Sequence, residues 1–256
     1  MTDPHHIGDQ PVRCADARGV RTLTLDSPRR RNALSLPLMT ALRDALAEAA
    51  GDPAVRAVLL THTGTTFCSG ADLSGRGGTP HDLAGLLRAL VELPKPVLAR
   101  VTGHARGGGL GLLGACDLAV AGPSASFAFS EVRIGVAPAV ISLPLLPRLD
   151  PRAASRYYLT GERFDAAEAA RIGLITSSAA TDEAVDDWLS PVLDALRRAS
   201  PQGLAAAKRL LTAQVLRAFD RDTDSLAELS ARLFGSAEAR EGMTAFLQRR
   251  DPAWAQ

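Results

Sequence analysis

The chain has 256 residues, 46% apolar and 22% charged, a balance that excludes a disordered chain and suits one large domain or a domain with a smaller appendage. Its formal net charge of +1 gives no electrostatic case for nucleic acid or for an acidic membrane surface. Residues 1–10 are mostly polar, carry His5 and His6, and lack the apolar run of a secretory leader, so none is expected. No stretch reaches the roughly 18 consecutive apolar residues of a membrane span. Three cysteines, Cys14, Cys68 and Cys116, stand far apart without a CxxC pair, which fits a reducing cytosol and predicts a cytoplasmic protein.

In chain order, Val20 to Asp26 alternates and reads as a strand, broken by Ser27-Pro28. Leu36, Leu38, Met39, Leu42 and Leu46 then mark an amphipathic helix, with Ser35 as N-cap and Pro37 in the first turn. Ala54 to Thr61 reads as a buried strand, followed by a turn-rich stretch from Gly64 to Gly78. A helix over Leu83 to Leu93 ends at Pro94, Val97 to Val101 is a strand, and Gly103 to Gly111 is dense in glycine. Beyond it a helix is predicted over Leu112 to Ala115, and strands over Leu118 to Ala121 and Ser126 to Phe129. The alternation of strands and helices indicates an α/β fold. After Pro144 the pattern turns helical, over 152–159, 166–171, 183–198, 202–218, 225–234 and 238–248.

The run Gly109-Leu110-Gly111-Leu112-Leu113-Gly114 matches GxGxxG, with Glu131 downstream. In a dinucleotide site the first glycine directly follows its strand, whereas here His104 to Gly108 intervenes after Val101, so the context opposes that reading. A second arrangement fits better. Phe67 to Leu73 and Gly103 to Gly109 each follow a predicted strand, about thirty residues apart, and each can end in a turn that aims backbone N–H groups outward. Two such donors converging on one point would stabilise the charge that develops on a thioester oxygen as an enolate forms. Either loop taken alone reads as an ordinary turn.

Together the segments become specific. Arg29 with Asn32-Ala33-Leu34-Ser35, Ser69-Gly70-Ala71-Asp72-Leu73, Gly103 to Gly109 followed by Ala115-Cys116-Asp117-Leu118, and Ser130-Glu131-Val132-Arg133-Ile134-Gly135 stand in one order. Leu159-Thr160-Gly161-Glu162, Gly173-Leu174 and Glu241-Gly242-Met243-Thr244-Ala245-Phe246 continue it. From about Val20 to the C-terminus the chain resembles the enoyl-CoA hydratase/isomerase (crotonase) family. The resemblance implies a spiral of ββα units carrying the active site over 1–195, and a helical region over 196–256 that packs between subunits of a homotrimer or homohexamer. It implies an acyl-CoA substrate, with coenzyme A as part of that substrate rather than a cofactor.

By position, the resemblance makes the Ala71 and Gly108 N–H groups the oxyanion donors and Glu131 the second of two hydratase glutamates. It also assigns substrate or CoA contacts to Arg29, Ser69, Asp72, Leu73, Gly111, Phe246 and Arg249, the last two reaching the adenine of a neighbouring subunit. One departure bears on mechanism. The first hydratase glutamate is replaced by Gly111, which has no side chain to move a proton. Glu131 alone then activates water, helped by a water or another residue in the space Gly111 leaves, or it shuttles a proton between C2 and C4 of the acyl chain. Either task favours a carboxyl lifted toward neutrality by apolar neighbours, for which Phe127, Phe129, Val132 and Val136 are candidates. The stretch from Ser130 to Ser142 resembles a hydratase branch acting on branched or carboxylated enoyl-CoAs. A hydratase of 2-enoyl-CoA is therefore expected, with an isomerase or another enolate-stabilising enzyme, or a weakly catalytic CoA-binding protein, as alternatives.

Of the remaining polar residues, Arg106 reads as a solvated loop arginine or an inter-subunit partner ahead of a contact to a substrate carboxylate or a CoA phosphate, and Asp117 as a backbone cap. His62, His81 and His104 lack metal-ligand spacing, so no metal is expected. Cys68 reads as a small buried hydrophobe rather than a nucleophile.

Overall fold

In the computed structural model, which describes residues 10–255, the chain opens with two antiparallel strands, β1 (Val12–Ala17) and β2 (Val20–Leu25). Arg18 and Gly19 join them, both at positive φ, the conformation that a two-residue hairpin turn requires. β1 exposes five of its six residues, so it had no buried face to show in the sequence. A 3-10 turn over Pro28–Arg30 leads to α1 (Leu36–Gly51), where Ser35 Oγ accepts the Leu38 N–H and Pro37 stands in the first turn, as predicted.

β3 (Ala57–His62) starts three residues later than expected, because Asp52 holds a turn by accepting the Ala54 N–H at 2.9 Å. β4 (Thr66–Cys68) interrupts the predicted turn region. α2 (Pro80–Glu92) begins three residues earlier than expected, at a reciprocal cap between Thr79 and Asp82. Then come β5 (Val97–Val101), β6 (His104–Arg106), α3 (Gly108–Ala115), β7 (Leu118–Ala121) and β8 (Phe127–Ala128). A 3-10 turn over Ser130–Ile134 and the short α4 (Ser142–Leu145) follow.

The order β3-β4-α2, β5-β6-α3, β7-β8-turn repeats one step. In each repeat the first strand joins a six-stranded sheet, of order β1-β2-β3-β5-β7-β9, and the second joins a three-stranded sheet, β4-β6-β8. All neighbours except β1 and β2 are parallel. Parallel strands require a return connection, and here each return carries a helix or turn, so the chain winds into a spiral. The expected α/β class and ββα repeat are both present.

The later chain forms α5 (Pro151–Thr160), α6 (Ala166–Arg171), β9 (Ser177–Ser178), α7 (Ala184–Arg198), α8 (Pro201–Phe234) and α9 (Ala237–Gln248). The predicted break between 218 and 225 does not occur. That polar run lacks glycine and proline, Phe219 is buried, and Thr223 Oγ1 donates to the Phe219 carbonyl within the helix. One face of the large sheet, through Leu98 and Val120, packs on Val185 and Leu189 of α7. The other face, through Val97 and Ala99, joins the main core with α1 and α2. Among the described residues no helix is long and apolar enough to cross a membrane.

Candidate active site

The three strands of the small sheet run parallel, so their C-terminal ends open at one edge. β4 delivers Ser69-Gly70-Ala71 to that edge, β6 delivers Gly107-Gly108, and β8 delivers Ser130-Glu131. This convergence is the physical basis of the site. The first two loops nearly touch. A Cβ built on Gly70, which lies at φ +89°, would stand 3.0 Å from the Arg106 carbonyl oxygen and 3.4 Å from the Gly108 nitrogen. One built on Gly109 would stand 2.6 Å from the Cys68 carbonyl oxygen, so a side chain there would force the loops apart.

From its other side the β4 loop is held by Leu34 N–H donating to the Gly70 carbonyl at 2.8 Å and Ser69 N–H donating to the Arg31 carbonyl at 3.0 Å. Gly107 adopts φ 48°, ψ −118° and turns the chain sharply into α3, whose first N–H belongs to Gly108. Among the described residues neither the Ala71 nor the Gly108 N–H has a backbone acceptor. The Gly108 donor also carries the partial positive charge of a helix N-terminus.

Glu131 sits beside them. A Cβ on Gly107 would stand 3.1 Å from Glu131 Oε1, so the carboxyl lies against the turn that presents the Gly108 N–H. The 3-10 turn carrying Glu131 closes at Gly135, at φ 76°, whose N–H donates to the Glu131 carbonyl. α9 packs on that turn so closely that a Cβ on Gly242 would stand 2.5 Å from the Ile134 carbonyl carbon. Although Glu131 as a residue is only half-buried, its Oε2 is out of contact with solvent and has no hydrogen-bond partner. Burial pushes its pKa up to about 7, which leaves both protonation states populated at neutral pH. Of the apolar neighbours expected around it, Phe127, Phe129 and Val136 are buried and Val132 is half-buried.

A cavity of about 630 Å³ lies over this edge. Ser69, Ala71, Leu73, Gly108, Glu131 and Phe246 line it, all named from the sequence. Arg29, Asp72, Gly111 and Arg249 stand outside its wall. Arg29 is exposed on the 3-10 turn, and Arg31 takes its place at the cavity because Arg31 and Asn32 both turn the chain at positive φ. Asp72 turns inward, accepting the Ser74 N–H at 2.8 Å with Arg30 4.0 Å away, and so holds the loop that bears Ala71. Phe246, 61% exposed, borders the cavity of its own chain, and Arg249 caps α9 beyond the cavity.

Two expectations are corrected. Gly111 leaves no space for a water or an assisting residue, since a Cβ there would meet Ile141 Cγ2 at 2.7 Å and Leu87 Cδ1 at 3.3 Å. Ile141 itself lines the cavity, so an apolar wall stands on this side. Arg106 is not a solvated loop arginine. It is half-buried, lines the cavity and donates to the carbonyls of Ala105 and Ser126 and to Ser126 Oγ. Arg31 and Ile141, which also line the cavity, have no signal of their own in the sequence beyond the arginine run and the apolar stretch after Pro138. Cys68 and Cys116 are buried, with thiols pushed up to about 12 by that burial, and among the described residues no group of His, Cys, Asp and Glu could hold a metal. Asp117 caps backbone as expected, accepting the Val97 N–H at 2.7 Å.

With these features in place, comparison with known proteins identifies the class. Residues 16–256 match the sequence model described as enoyl-CoA hydratase/isomerase, and the chain belongs to that family. An enoyl-CoA hydratase from Mycobacterium avium superposes with a TM-score of 0.90 at 54% identity, covering 96% of this chain and 100% of its own. A carnitinyl-CoA hydratase from the same species gives 0.85 at 31% identity, over 96% and 98% of the two chains. The 1,2-epoxyphenylacetyl-CoA isomerase of Escherichia coli is 32% identical over 248 residues, 92% of this chain and 94% of that protein.

Proposed function

We propose that the protein acts on an enoyl-CoA through a thioester enolate, moving one proton with Glu131, and that its reaction is migration of the double bond between C2 and C4. The supporting observation is the single buried carboxyl, raised to about 7, beside two unpartnered amides, with Ile141 where a second carboxylate would need room. The ionised carboxyl takes a proton from the carbon next to the thioester. The negative charge passes to the thioester oxygen, where the Ala71 and Gly108 N–H groups receive it, and the protonated Glu131 returns the proton two carbons away. One base is sufficient, and the apolar Ile141 against Gly111 suits a step that consumes no water.

Hydration of a 2-enoyl-CoA is the second reading, favoured by the hydratase name of the 54% identical relative. There Glu131 deprotonates water as it attacks C3, then protonates C2. Purified protein incubated with 3-enoyl-CoA and with crotonyl-CoA separates the two: bond migration without water uptake supports the first, and 3-hydroxyacyl-CoA from crotonyl-CoA supports the second. Binding without turnover of either would leave a CoA-binding protein and sink both. We further propose a homotrimer or homohexamer, for which the exposed Leu159, Leu210 and Leu211 offer apolar surface, to be checked by the mass in solution.

A further inference from the structure

One corner of the cavity is positive and has no counter-charge. β6 places His104 and Arg106 two residues apart, hence on one face of the small sheet, and Arg163 adjoins them beside the β8 edge. Arg106 Nη1 donates to the Ala105 and Ser126 carbonyls at 2.7 and 2.5 Å, and Nη2 donates to Ser126 Oγ at 2.8 Å. That same hydroxyl lies 3.0 Å from His104 Nδ1. These bonds fix the guanidinium in place but bring no negative charge to it. The one carboxylate next in sequence to Arg163, Glu162, is bound to Arg156. Among the described residues no carboxylate pairs with Arg106 or Arg163. In agreement, Arg106 is pushed down to about 10, by burial first and by Arg163 second, and His104 is lowered by burial and then by both arginines.

A half-buried guanidinium without a counter-ion is costly unless a ligand supplies one. Resting on the function proposed above, we infer that the corner formed by His104, Arg106 and Arg163 is a subsite for a carboxylate borne on the acyl group of the bound thioester. Position favours the acyl group over the phosphates of CoA. Arg106 precedes by two residues the amide assigned to the thioester oxygen, so their Cα atoms lie at most about 7 Å apart. The whole pantetheine arm separates the thioester from the nearest CoA phosphate. Three of the guanidinium hydrogens are already engaged, leaving an edge that suits one small planar anion.

The test uses saturated thioesters, whose binding is independent of turnover, so its failure is separate from any failure of Glu131 as the base. Succinyl-, glutaryl- and adipyl-CoA are each titrated calorimetrically against the uncharged thioester of equal length: butyryl-, pentanoyl- and hexanoyl-CoA. At least one carboxylated ligand is expected to bind about tenfold or more tighter than its uncharged match. Arg106→Met is expected to abolish that preference while leaving the affinities for free CoA and for the uncharged thioesters within about threefold. Arg163→Met, at an exposed position that leaves the fold intact, is expected to reduce it. The inference is overturned if the intact protein shows no preference at any length or if neither variant changes it. It also fails if Arg106→Met weakens free CoA equally, which would assign the corner to a phosphate, or lowers the mass of the protein in solution, which would assign it to a second copy of the chain.

Discussion

Burial of the Glu131 carboxyl acts against the fold to an extent that depends on pH. Its pKa rises from an ordinary 4.5 to about 7, so between those values the native chain binds more protons than the unfolded one. Stability therefore falls as pH rises through that window and stays lower above it. A shift of this size corresponds to roughly 3 kcal/mol. Glu131→Gln, which cannot ionise, is expected to match the parent near pH 4.5 and to exceed it by about 2–3 kcal/mol at pH 8. Urea denaturation of both proteins at the two pH values measures the difference, and equal stability at pH 8 would show that the carboxyl is solvated. The same substitution removes the proposed base. Turnover should drop by about 100-fold or more with thioester affinity retained. In the parent, kcat/KM should rise with pH through an apparent pKa near 7, because in the proposed reaction the ionised form takes the proton.

Gly111 poses a different problem at the same scale. Its neighbour Ile141 already occupies the place a side chain would take, so Gly111→Glu alone is expected to disrupt packing rather than add a second acid. Pairing it with Ile141→Gly opens the wall. The double variant is expected to recover stability relative to Gly111→Glu and to gain hydration of crotonyl-CoA; a single variant that hydrates as well as the double one would refute the steric account.

At the scale of elements, the site depends on how closely β4 and α3 approach. The contact is backbone to backbone, with Cys68 on one side and Gly109 on the other. Gly109→Ala is expected to destabilise the protein by about 1–3 kcal/mol, the range for overpacking a filled interior. Because the clash separates the two amides proposed to hold the thioester oxygen, turnover should fall further than melting temperature alone explains at a temperature where the variant is fully folded. Unchanged turnover would mean that the amides do not share one oxygen. The sequence shows the first strand of each unit, because β3, β5 and β7 are mostly buried and their apolar runs are plain, while the repeat itself is implied only by the family resemblance. It conceals β4 and β6, since each is three residues long and lies among glycines that read as turns, whereas β8 falls within the strand predicted over Ser126 to Phe129. Ala71, Gly108 and Glu131 were legible only as members of a known motif order. Arg31, Arg106 and Ile141 acquire their roles from neighbours distant in sequence, which no local pattern reports.

Across the whole molecule, the helical tail bears on the chemistry through one buried ion pair. Lys208 on α8 is almost fully buried, with its Nζ 2.8 Å from Asp117 Oδ2 and donating to the Leu90 and Lys95 carbonyls at 2.9 and 3.1 Å. Asp117 immediately precedes β7, Lys95 stands just before β5 and Leu90 lies near the end of α2, so one side chain pins the tail to α2 and the large sheet. α8 leads directly into α9, and α9 covers the turn that carries Glu131. Removing one partner of a buried pair strands the other charge, so Lys208→Met is expected to cost about 3–5 kcal/mol. Asp117→Asn combined with it should restore part of that loss, because the stranded carboxylate is then gone. The loosening should be uneven. Hydrogen exchange is expected to quicken in α8, α9 and the turn over Ser130–Ile134 together, while the amides of β3 and β5 change far less. If exchange instead quickens evenly across sheet and tail, Lys208 contributes only global stability, and the link from α8 to the environment of Glu131 does not hold.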